Sequence, residues 1–403
     1  MTAKPPASLV GALVEVEVGA IAHGGHCVAR HEGRVVFVRH AIPGELVVAC
    51  VTGGGPSSRY LRADSVQVLK PSPDRVEPPC PFAGPGRCGG CDFQHVALAR
   101  QRELLAAVVR EQLSRLAGVE WPVVVEPVDG DREGLEWRSR VRFTATLDRR
   151  PGLRRHRSHE VIAIDNCRIA RPGLPDVAPA LAAGYESAEA VVASTGDRAV
   201  VTDRRTAPAI TERTAGREWR LNAGDFWQVH PGAADALVGA VLDGVQPQLG
   251  ERCWDLYAGV GLFAAALAER VGPTGAVVAV ESHRGAVDSG QFNLRDLDQV
   301  RWITDRVERF VRSRIAQGRL DVVVLDPPRS GAGRSVVQAI AKCTPRAIGY
   351  VACDPAALAR DVATLAEAGY ELASLRGFDI FPMTHHVECV AAFRRVRSVS
   401  SRA

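Results

Sequence analysis

The chain has 403 residues, and this length predicts two or three domains of about 150 residues each. Hydrophobic residues make up 46% and charged residues 24%, which excludes a fibrous repeat or a largely disordered chain, and the net charge of +4 alone does not indicate a polyanionic partner. No apolar run reaches the roughly 18 residues of a membrane-spanning helix, and Met1–Pro6 lack the apolar core of a secretion signal, so we expect a soluble, cytoplasmic protein without membrane contact.

The N-terminal part of the chain has the pattern of short β-strands. Val14, Val16 and Val18 alternate with glutamates, and glycine or proline stands at each break between apolar runs. A two-residue period with one apolar face is typical of strands that curl over their own core. The sequence therefore predicts a small β-barrel over residues 1–70, and the proline-rich segment 71–80 ends it.

Four cysteines with metal-binding spacing follow. Cys80, Cys88 and Cys91 lie close together in the chain, and Cys167 is the next cysteine. A Cys-x-x-Cys pair can hold one metal centre, and four thiolates suit zinc or a four-iron cluster, of which thiolate chemistry alone favours zinc. Five further cysteines have no assigned chemistry and are expected to be small buried side chains: Cys27, Cys50, Cys253, Cys343 and Cys389.

An amphipathic helix is predicted between Val96 and Gly118, where apolar residues recur at helical spacing. Gly118 is a suitable C-terminal cap, and we expect the apolar face of the helix to pack on the C-terminal domain. The segments that follow give weak strand signals and a polar, alanine-rich stretch. We therefore predict a central α/β domain over residues 71–220.

A basic stretch lies inside this central domain. Eight arginines and one acid, Asp148, occur from Arg138 to Arg157, which gives a local net charge of +7. Such a cluster is expected for contacts with phosphates, and Phe143 and His156 could stack on bases. A solvated basic face without a ligand is the alternative interpretation. Together with the predicted barrel, the stretch favours RNA binding.

The C-terminal part, residues 221–403, alternates short apolar strands with helical stretches. The strands are predicted at residues 252–256, 276–280, 322–325 and 347–352. This alternation indicates a mostly parallel sheet covered by helices on both faces, as in Rossmann-like α/β proteins.

A glycine-containing loop follows the first of these strands. Gly259-x-Gly261-x-x-Ala264 lies between a strand and a helix, and Glu281 ends the next strand, where a carboxylate can bind ribose hydroxyls. The loop predicts a nucleoside cofactor but fits NAD as well as S-adenosylmethionine. Asp326-Pro327-Pro328 at a later strand end favours S-adenosylmethionine, and Arg329, in place of the aromatic residue of amino-group methylases, argues against methylation of an exocyclic amine.

Two further residues supply the chemistry of a nucleophile and a base. Cys353 follows a strand of the same sheet, so it is expected to face the same crevice as Asp326. A thiolate can add to C6 of a pyrimidine and make C5 nucleophilic. Glu388 lies near the last strand and offers a carboxylate. Taken singly, Cys353 is more often a buried structural thiol and Glu388 a surface charge.

Four motifs occur in the order and at about the spacing of one enzyme family: Phe226-Trp227-Gln228, Asp326-Pro327-Pro328-Arg329, Cys353-Asp354-Pro355 and His386-Val387-Glu388-Cys389. With them the chain resembles the RNA uracil-5-methyltransferases. The N-terminal progression is similar to a TRAM domain: Gly24-Gly25, then Phe37-Val38, then Ile42-Pro43-Gly44-Glu45. The resemblance covers nearly the whole chain and is weakest between residues 172 and 215.

The resemblance implies a Rossmann-like class I methyltransferase domain, an OB-like TRAM barrel that binds RNA, and a central α/β iron–sulfur domain. It implies that Cys353 is the nucleophile and that Glu388 removes the C5 proton. It implies that four residues hold S-adenosylmethionine: Gln228, Tyr257, Glu281 and Asp326. It also implies that four cysteines hold a [4Fe-4S] cluster: Cys80, Cys88, Cys91 and Cys167. The expected partner is structured RNA, ribosomal RNA before transfer RNA, and we expect a monomer.

Two departures from the family pattern and two other functions have to be considered. Leu262 and Asp354 stand where many relatives have asparagine, and neither replaces a group that the mechanism needs. An iron–sulfur or nicotinamide oxidoreductase would use the glycine loop and the cluster but leaves Asp326 and Cys353 unexplained. A non-catalytic RNA-binding protein leaves Cys353 and Glu388 unexplained.

Overall fold

The computed structural model describes residues 9–55, 57–313 and 318–396. The prediction made for Met1–Pro6 therefore lies outside the described residues. The first residues of the predicted barrel and the last residues of the predicted C-terminal domain also lie outside them. Among the described residues, no helix combines the length and the apolar character that crossing a bilayer requires.

The N-terminal unit is one curled, six-stranded sheet with the strand order β1-β5-β6-β4-β3-β2. Its strands are β1 (Leu13–Glu17), β2 (Ile21–Ala22), β3 (His26–His31), β4 (Arg34–Arg39), β5 (Leu46–Gly53) and β6 (Tyr60–Lys70). The alternating side chains predicted from the sequence point inward, and Val36, Val38, Val47 and Leu61 are almost fully buried. The predicted β unit is confirmed.

The helix α1 (Leu98–Ala117) agrees with the amphipathic pattern and ends at Gly118, whose φ of +64° closes the last turn. It packs against α8 (Pro355–Glu367), a helix of the C-terminal part. The short strand β7 (Val125–Glu126) follows and pairs in parallel with β20 (Tyr370–Phe378). Both elements therefore adjoin the C-terminal sheet.

A second sheet has the order β10-β9-β8-β11-β12. It is formed by β8 (Arg140–Ala145), β9 (Pro151–Arg154), β10 (Val161–Ala163), β11 (Ser187–Val192) and β12 (Arg198–Val201), with α2 (Ala178–Ala182) packed on β11. A short 3-10 helix (Arg204–Thr206) leads to a hairpin of β13 (Ala209–Thr214) and β14 (Arg217–Asn222). Regular strands thus occupy the region where the sequence pattern was weak.

The C-terminal part is an eight-stranded sheet with the order β17-β16-β15-β18-β19-β21-β20-β7. Its remaining strands are β15 (Arg252–Leu256), β16 (Ala276–Glu281), β17 (Val300–Thr304), β18 (Val322–Leu325), β19 (Ala347–Ala352) and β21 (Glu388–Arg395). The helices around it are α3 (Ala233–Val245), α4 (Leu262–Val271), α5 (Arg284–Asn293), α6 (Val307–Phe310), α7 (Arg334–Lys342) and α8. The order of the parallel strands β15 to β19 is Rossmann-like, so the predicted fold class is confirmed, while β17 and β20 were missed.

Candidate active site

One cavity of about 1590 Å³ opens at the carboxyl ends of the parallel strands. The residues predicted as nucleophile, base and cofactor ligands all line it: Cys353, Glu388, Gln228, Tyr257, Glu281 and Asp326. In the chain, the first of them, Gln228, and the last, Glu388, are more than 150 residues apart. The fold therefore brings all six side chains together around one space.

The glycine loop after β15 has a backbone that few side chains allow. Gly259 and Gly261 have φ values of +55° and +91°, and Tyr257 has a φ of +62°, which is rare for a bulky residue and typical of functional sites. A Cβ at Gly259 would stand in open space, whereas one at Gly261 would lie 2.9 Å from the Trp302 ring. Gly261 is thus required for packing, and Gly259 leaves room for a ligand beside the loop.

Two carboxylates hold this loop in place. Glu281 accepts a hydrogen bond from the Gly259 amide at 3.0 Å and one from the His283 amide at 2.7 Å. Asp255, which is fully buried, accepts from the Ala264 amide at 2.7 Å and so ties the strand to the first turn of α4. Burial raises the pKa of Asp255 well above its usual value. Asp255 was not predicted as a functional residue, although an acid at the end of the strand before the glycines was a visible signal.

Cys353 follows the last residue of β19 and is only partly exposed. Burial, with the nearby carboxylates of Glu388 and Asp326, raises the pKa of its thiol to about 12, although the Arg329 guanidinium opposes this shift. Asp354, the next residue, accepts a hydrogen bond from the Ala357 amide at 2.7 Å and caps α8. Its carboxylate therefore serves as an N-cap as well as an asparagine would.

Glu388 is the first residue of β21, the strand beside β19, and its side chain is buried. Burial raises the pKa of Glu388 well above its usual value, the Asp326 carboxylate raises it further, and the Arg329 guanidinium lowers it. The Cys353 thiol therefore holds its proton at neutral pH, and burial shifts Glu388 toward its protonated form. Arg329 is the neighbouring cation of both groups. Its position after the two prolines did not predict this role.

The histidines before Glu388 are held by a distant part of the chain. Nδ1 of His385 lies 2.6 Å from Oδ2 of Asp92, and the His385 ring lies against the ring of His386, with centroids 4.2 Å apart. Burial lowers the pKa of His386 to about 4, so this imidazole is neutral. Asp92, His385 and His386 all line the cavity. The contact between Asp92 and His385 was not predicted from the sequence.

The four cysteines predicted as metal ligands line one small cavity: Cys80, Cys88, Cys91 and Cys167. The Gly90 amide donates to Sγ of Cys88 and the Gln94 side-chain amide to Sγ of Cys91, each at 3.4 Å. Such N–H donors stabilise thiolate ligands and fit a metal centre. In the described part of the chain, no group of three or more His, Cys, Asp or Glu side chains is arranged to hold a single metal ion.

The remaining cysteines correspond only in part to the prediction. Cys27, Cys253 and Cys389 are buried, as predicted, but Cys50 and Cys343 are only half-buried. Cys50 lies on β5, where every second side chain faces away from the core of the sheet, and Cys343 follows the last turn of α7. For these two residues the prediction of burial was wrong.

The basic stretch is less positive than its sequence suggests. Four of its arginines pair with acids from outside the stretch: Arg142 with Glu189, Arg149 with Glu186, Arg150 with Asp165 and Arg155 with Glu160. Arg140 is buried and donates to the carbonyl of Asp225 at 2.7 Å. Among the residues that the structure describes, Arg154 and Arg157 are exposed and have no carboxylate within ion-pair distance. His156 lines the cavity, whereas Phe143 packs into a small core.

Aromatic side chains form a row across the N-terminal sheet, from the buried His26 to the exposed Tyr60. His26 and Phe37 have ring centroids 6.1 Å apart, and Phe37 and Tyr60 have centroids 5.4 Å apart. The guanidinium of Arg62 lies 5.0 Å from the centroid of the Tyr60 ring. Burial lowers the pKa of His26, and the nearby guanidinium groups of Arg39 and Arg157 lower it further, so one end of this aromatic row lies near the basic stretch and the cavity.

Comparisons with known proteins match this arrangement. Residues 209–396 match the family described as tRNA (uracil-5-)-methyltransferase, and residues 7–66 match the TRAM domain. The chain is 48% identical to an RNA methyltransferase of Streptomyces coelicolor, over 96% of this chain and 93% of that protein. It is 31% identical to a 23S rRNA (uracil(1939)-C(5))-methyltransferase of Shewanella baltica, over 97% of this chain and 98% of that protein.

A solved structure shows the same fold. It is the tRNA (uracil-54, C5)-methyltransferase of Pyrococcus abyssi in complex with S-adenosyl-L-homocysteine, which superimposes with a TM-score of 0.70 at 20% identity. The match covers 94% of this chain and all of that one.

Proposed function

Since the chain belongs to the S-adenosylmethionine-dependent RNA uracil-5-methyltransferases with a TRAM domain, we propose that it methylates C5 of a uridine in ribosomal RNA through a covalent bond between Cys353 and C6. The observation that carries this proposal is the single cavity lined by Cys353, Glu388 and the glycine-loop pocket. Family membership favours methyl transfer over the oxidoreductase and the non-catalytic alternatives.

The proposed cofactor residues fit a nucleoside with a positively charged sulfur. The open space beside Gly259 admits a ligand against the loop backbone. Glu281, at the end of β16, accepts hydrogen bonds from two backbone amides and keeps further lone pairs for ribose hydroxyls. Gln228, Tyr257 and Asp326 line the same space. When bound, S-adenosylmethionine supplies an electrophilic methyl group. Asp326, whose pKa burial raises to about 7, would be one of the acidic side chains that hold the cofactor.

The side chains of this chain account for the remaining chemistry. The Cys353 thiol loses its proton to solvent, and the thiolate adds to C6 of the uracil. The electrons of the C5–C6 double bond make C5 the nucleophile that takes the methyl group, with S-adenosylhomocysteine as the leaving group. The Glu388 carboxylate then removes the proton from C5, and the bond between C6 and sulfur breaks as the double bond forms again. Cys353 leaves as a thiolate, and Glu388 holds the proton that has to pass to solvent.

The target RNA is inferred from the relatives. The Shewanella baltica relative, which acts on 23S rRNA, aligns over nearly its whole length, whereas the Pyrococcus abyssi tRNA enzyme shares 20% identity. We therefore place the substrate uridine in 23S rRNA, at the position equivalent to 1939. Nucleoside mass spectrometry of 23S rRNA and tRNA from a deletion strain should show loss of 5-methyluridine from 23S rRNA alone. Loss from tRNA would contradict this choice.

The proposed centre of the central domain is a [4Fe-4S] cluster held by Cys80, Cys88, Cys91 and Cys167. Four thiols around one cavity with N–H donors to sulfur support it, and the resemblance to the iron–sulfur members of the family favours a cluster over zinc. The protein purified without oxygen should contain iron and sulfide in a ratio near one. Stoichiometric zinc without iron would overturn the cluster.

The catalytic roles have a direct test on the purified protein. We expect Cys353→Ala to abolish methylation while S-adenosylhomocysteine still binds. Glu388→Gln should instead accumulate a covalent RNA adduct that survives denaturation, because the C5 proton of the methylated adduct cannot be removed. Normal turnover by the cysteine variant, or methylation without an adduct by the glutamine variant, would contradict these roles.

A further inference from the structure

One loop of the N-terminal unit reaches the segment that carries Cys353. The loop is His23–Gly25, between β2 and β3, and Nε2 of His23 lies 3.1 Å from Oδ2 of Asp354. Asp354 follows Cys353 directly and uses its other oxygen to cap α8. The hydrogen bonds to His23 and Ala357 hold the pKa of Asp354 below its usual value, despite its partial burial. Asp354 is therefore ionised, and its carboxylate is the hydrogen-bond partner of the His23 imidazole.

The same loop also contacts the segment that precedes Glu388. A Cβ built on Gly25 would lie 2.7 Å from Cβ of His385, so the Gly25 backbone packs directly against this residue, and its φ of +75° suits glycine. Asp92 also holds His385, through Nδ1 of its ring, and Arg39 of β4 lies 3.4 Å from Asp92. His385 is thus held by the N-terminal unit and by the cysteine-rich loop, residues 80–93.

We infer that the loop His23–Gly25 is a positioning element of the active site, which sets the separation of Cys353 and Glu388. The two residues lie at the ends of neighbouring strands, β19 and β21, whose last pair is Ala352 with Cys389. The chain segments that carry Cys353 and Glu388 continue beyond this pair, where the two strands no longer hold each other. One rigid loop that contacts both segments restricts their relative movement. Displacements of about 1 Å at reacting groups can lower rates severely. This inference rests on the proposed function, because it assumes that Cys353 and Glu388 act on one uracil.

The pairing also explains a departure from the family pattern. Asp354 replaces asparagine, and the added negative charge has the imidazole of His23 as its partner from another unit. Asp354→Asn keeps the cap on α8 and removes only the charge, which makes it a clean partner for His23→Ala. His23 is exposed enough that its removal should not unfold the protein.

The experiment is a double-mutant cycle on the full-length protein with a 23S rRNA fragment as substrate. We expect His23→Ala and Asp354→Asn each to lower kcat roughly fivefold, and the double variant to be no slower than either single variant, because they remove one shared contact. KM for RNA and the affinity for S-adenosylhomocysteine should stay unchanged. His31→Ala, at the other end of β3, is the control and should behave as the wild type.

A second readout does not depend on methylation. Alkylation of Cys353 by iodoacetamide, followed at its peptide by mass spectrometry, should change in rate in His23→Ala and Asp354→Asn by the same factor. A rise in KM for RNA with unchanged kcat would show that His23 binds RNA instead, and additive effects in the cycle would also overturn the inference. If the wild type methylates neither 23S rRNA nor tRNA while the alkylation effect persists, the proposed function fails and the positioning role stands.

Discussion

Cys353 is a protonated thiol in the unliganded site, and its activation needs a positive charge. Its pKa of about 12 arises from burial and from two neighbouring carboxylates, with Arg329 as the opposing cation. A sulfonium bound beside Asp326 would add a second positive charge close to the thiol. Thiolate formation would then depend on the cofactor, so the free enzyme is protected from oxidation and alkylation at this residue.

This coupling predicts a charge-dependent reactivity. Sinefungin carries an amine where S-adenosylmethionine has its sulfonium, and S-adenosylhomocysteine is neutral there. We expect Cys353 to be alkylated about tenfold faster with sinefungin than with S-adenosylhomocysteine at neutral pH, since one unit of pKa changes the thiolate fraction tenfold. The half-buried Cys50 is the internal control and should react equally with both ligands. Equal rates at Cys353 would show that the ligand charge does not reach the thiol.

The sequence predicted the residues of the site better than their contacts. Cys353, Asp326 and Glu281 follow or end apolar strands, and the carboxyl ends of parallel strands meet at one edge. The contact between Asp92 and His385 spans 293 positions, and no local pattern marks it. The charge of the arginine stretch was overestimated for the same reason, because the acids that pair with it lie outside the stretch.

At the scale of single elements, the cysteine-rich loop supports the segment that leads to Glu388. The amides of Asp92 and Phe93 both donate to the carbonyl of Met383, at 2.9 Å and 3.0 Å. Gln101 of α1 adds two contacts to Met383. A cluster on Cys91 would therefore stabilise the position of His385 and Glu388, which gives it a structural role.

We expect Cys91→Ser to lose iron and to loosen this segment. Hydrogen exchange should become faster at residues 383–387, and methylation should fall, while S-adenosylhomocysteine binding at the glycine loop is retained. Cys50→Ser, at a cysteine outside the predicted centre, is the matched control. Loss of iron with unchanged hydrogen exchange at residues 383–387 would show that the cluster does not stabilise this segment of the active site.

The aromatic row of the N-terminal sheet is the second element with a testable role. Tyr60 is 41% exposed, and its ring with the Arg62 guanidinium offers a surface on which unpaired bases can stack. Tyr60→Ala combined with Arg62→Ala should weaken RNA binding roughly tenfold, since stacking contributes about 1–3 kcal/mol per base. Leu69→Ala, on the same strand, serves as the control, and equal RNA affinity of both variants would exclude this face.

Elements with a strong apolar period were predicted well, and the others were not. β18 reads Val-Val-Val-Leu and is fully buried, so its apolar run was sufficient. β11 reads Ser-Ala-Glu-Ala-Val-Val, and β20 contains glutamate, serine and arginine. Their strand conformation depends on pairing with partners that the local sequence does not specify.

At the scale of the whole molecule, we propose that the RNA-binding surface extends from the cavity across the central and N-terminal units. Arg154 and Arg157 supply the exposed cations of this path, while Arg142 and Arg150 are already paired with acids. Replacement of Arg154 and Arg157 by glutamate should weaken RNA binding and lower the slope of affinity against salt by about one per lost phosphate contact. The same change at Arg142 and Arg150 should have a smaller effect, and the reverse order would place the RNA elsewhere.

The sheet that carries the site begins long before the glycine loop. β7, at residues 125–126, forms its outer strand beside β20, and Arg376 of β20 donates to Glu126 at 2.7 Å and 2.9 Å. α1 likewise packs against α8. During synthesis on the ribosome, α1 and β7 emerge more than 200 residues ahead of the partners that they pack against. The central sheet can form in that interval, so the catalytic unit closes last, around a region that is already folded.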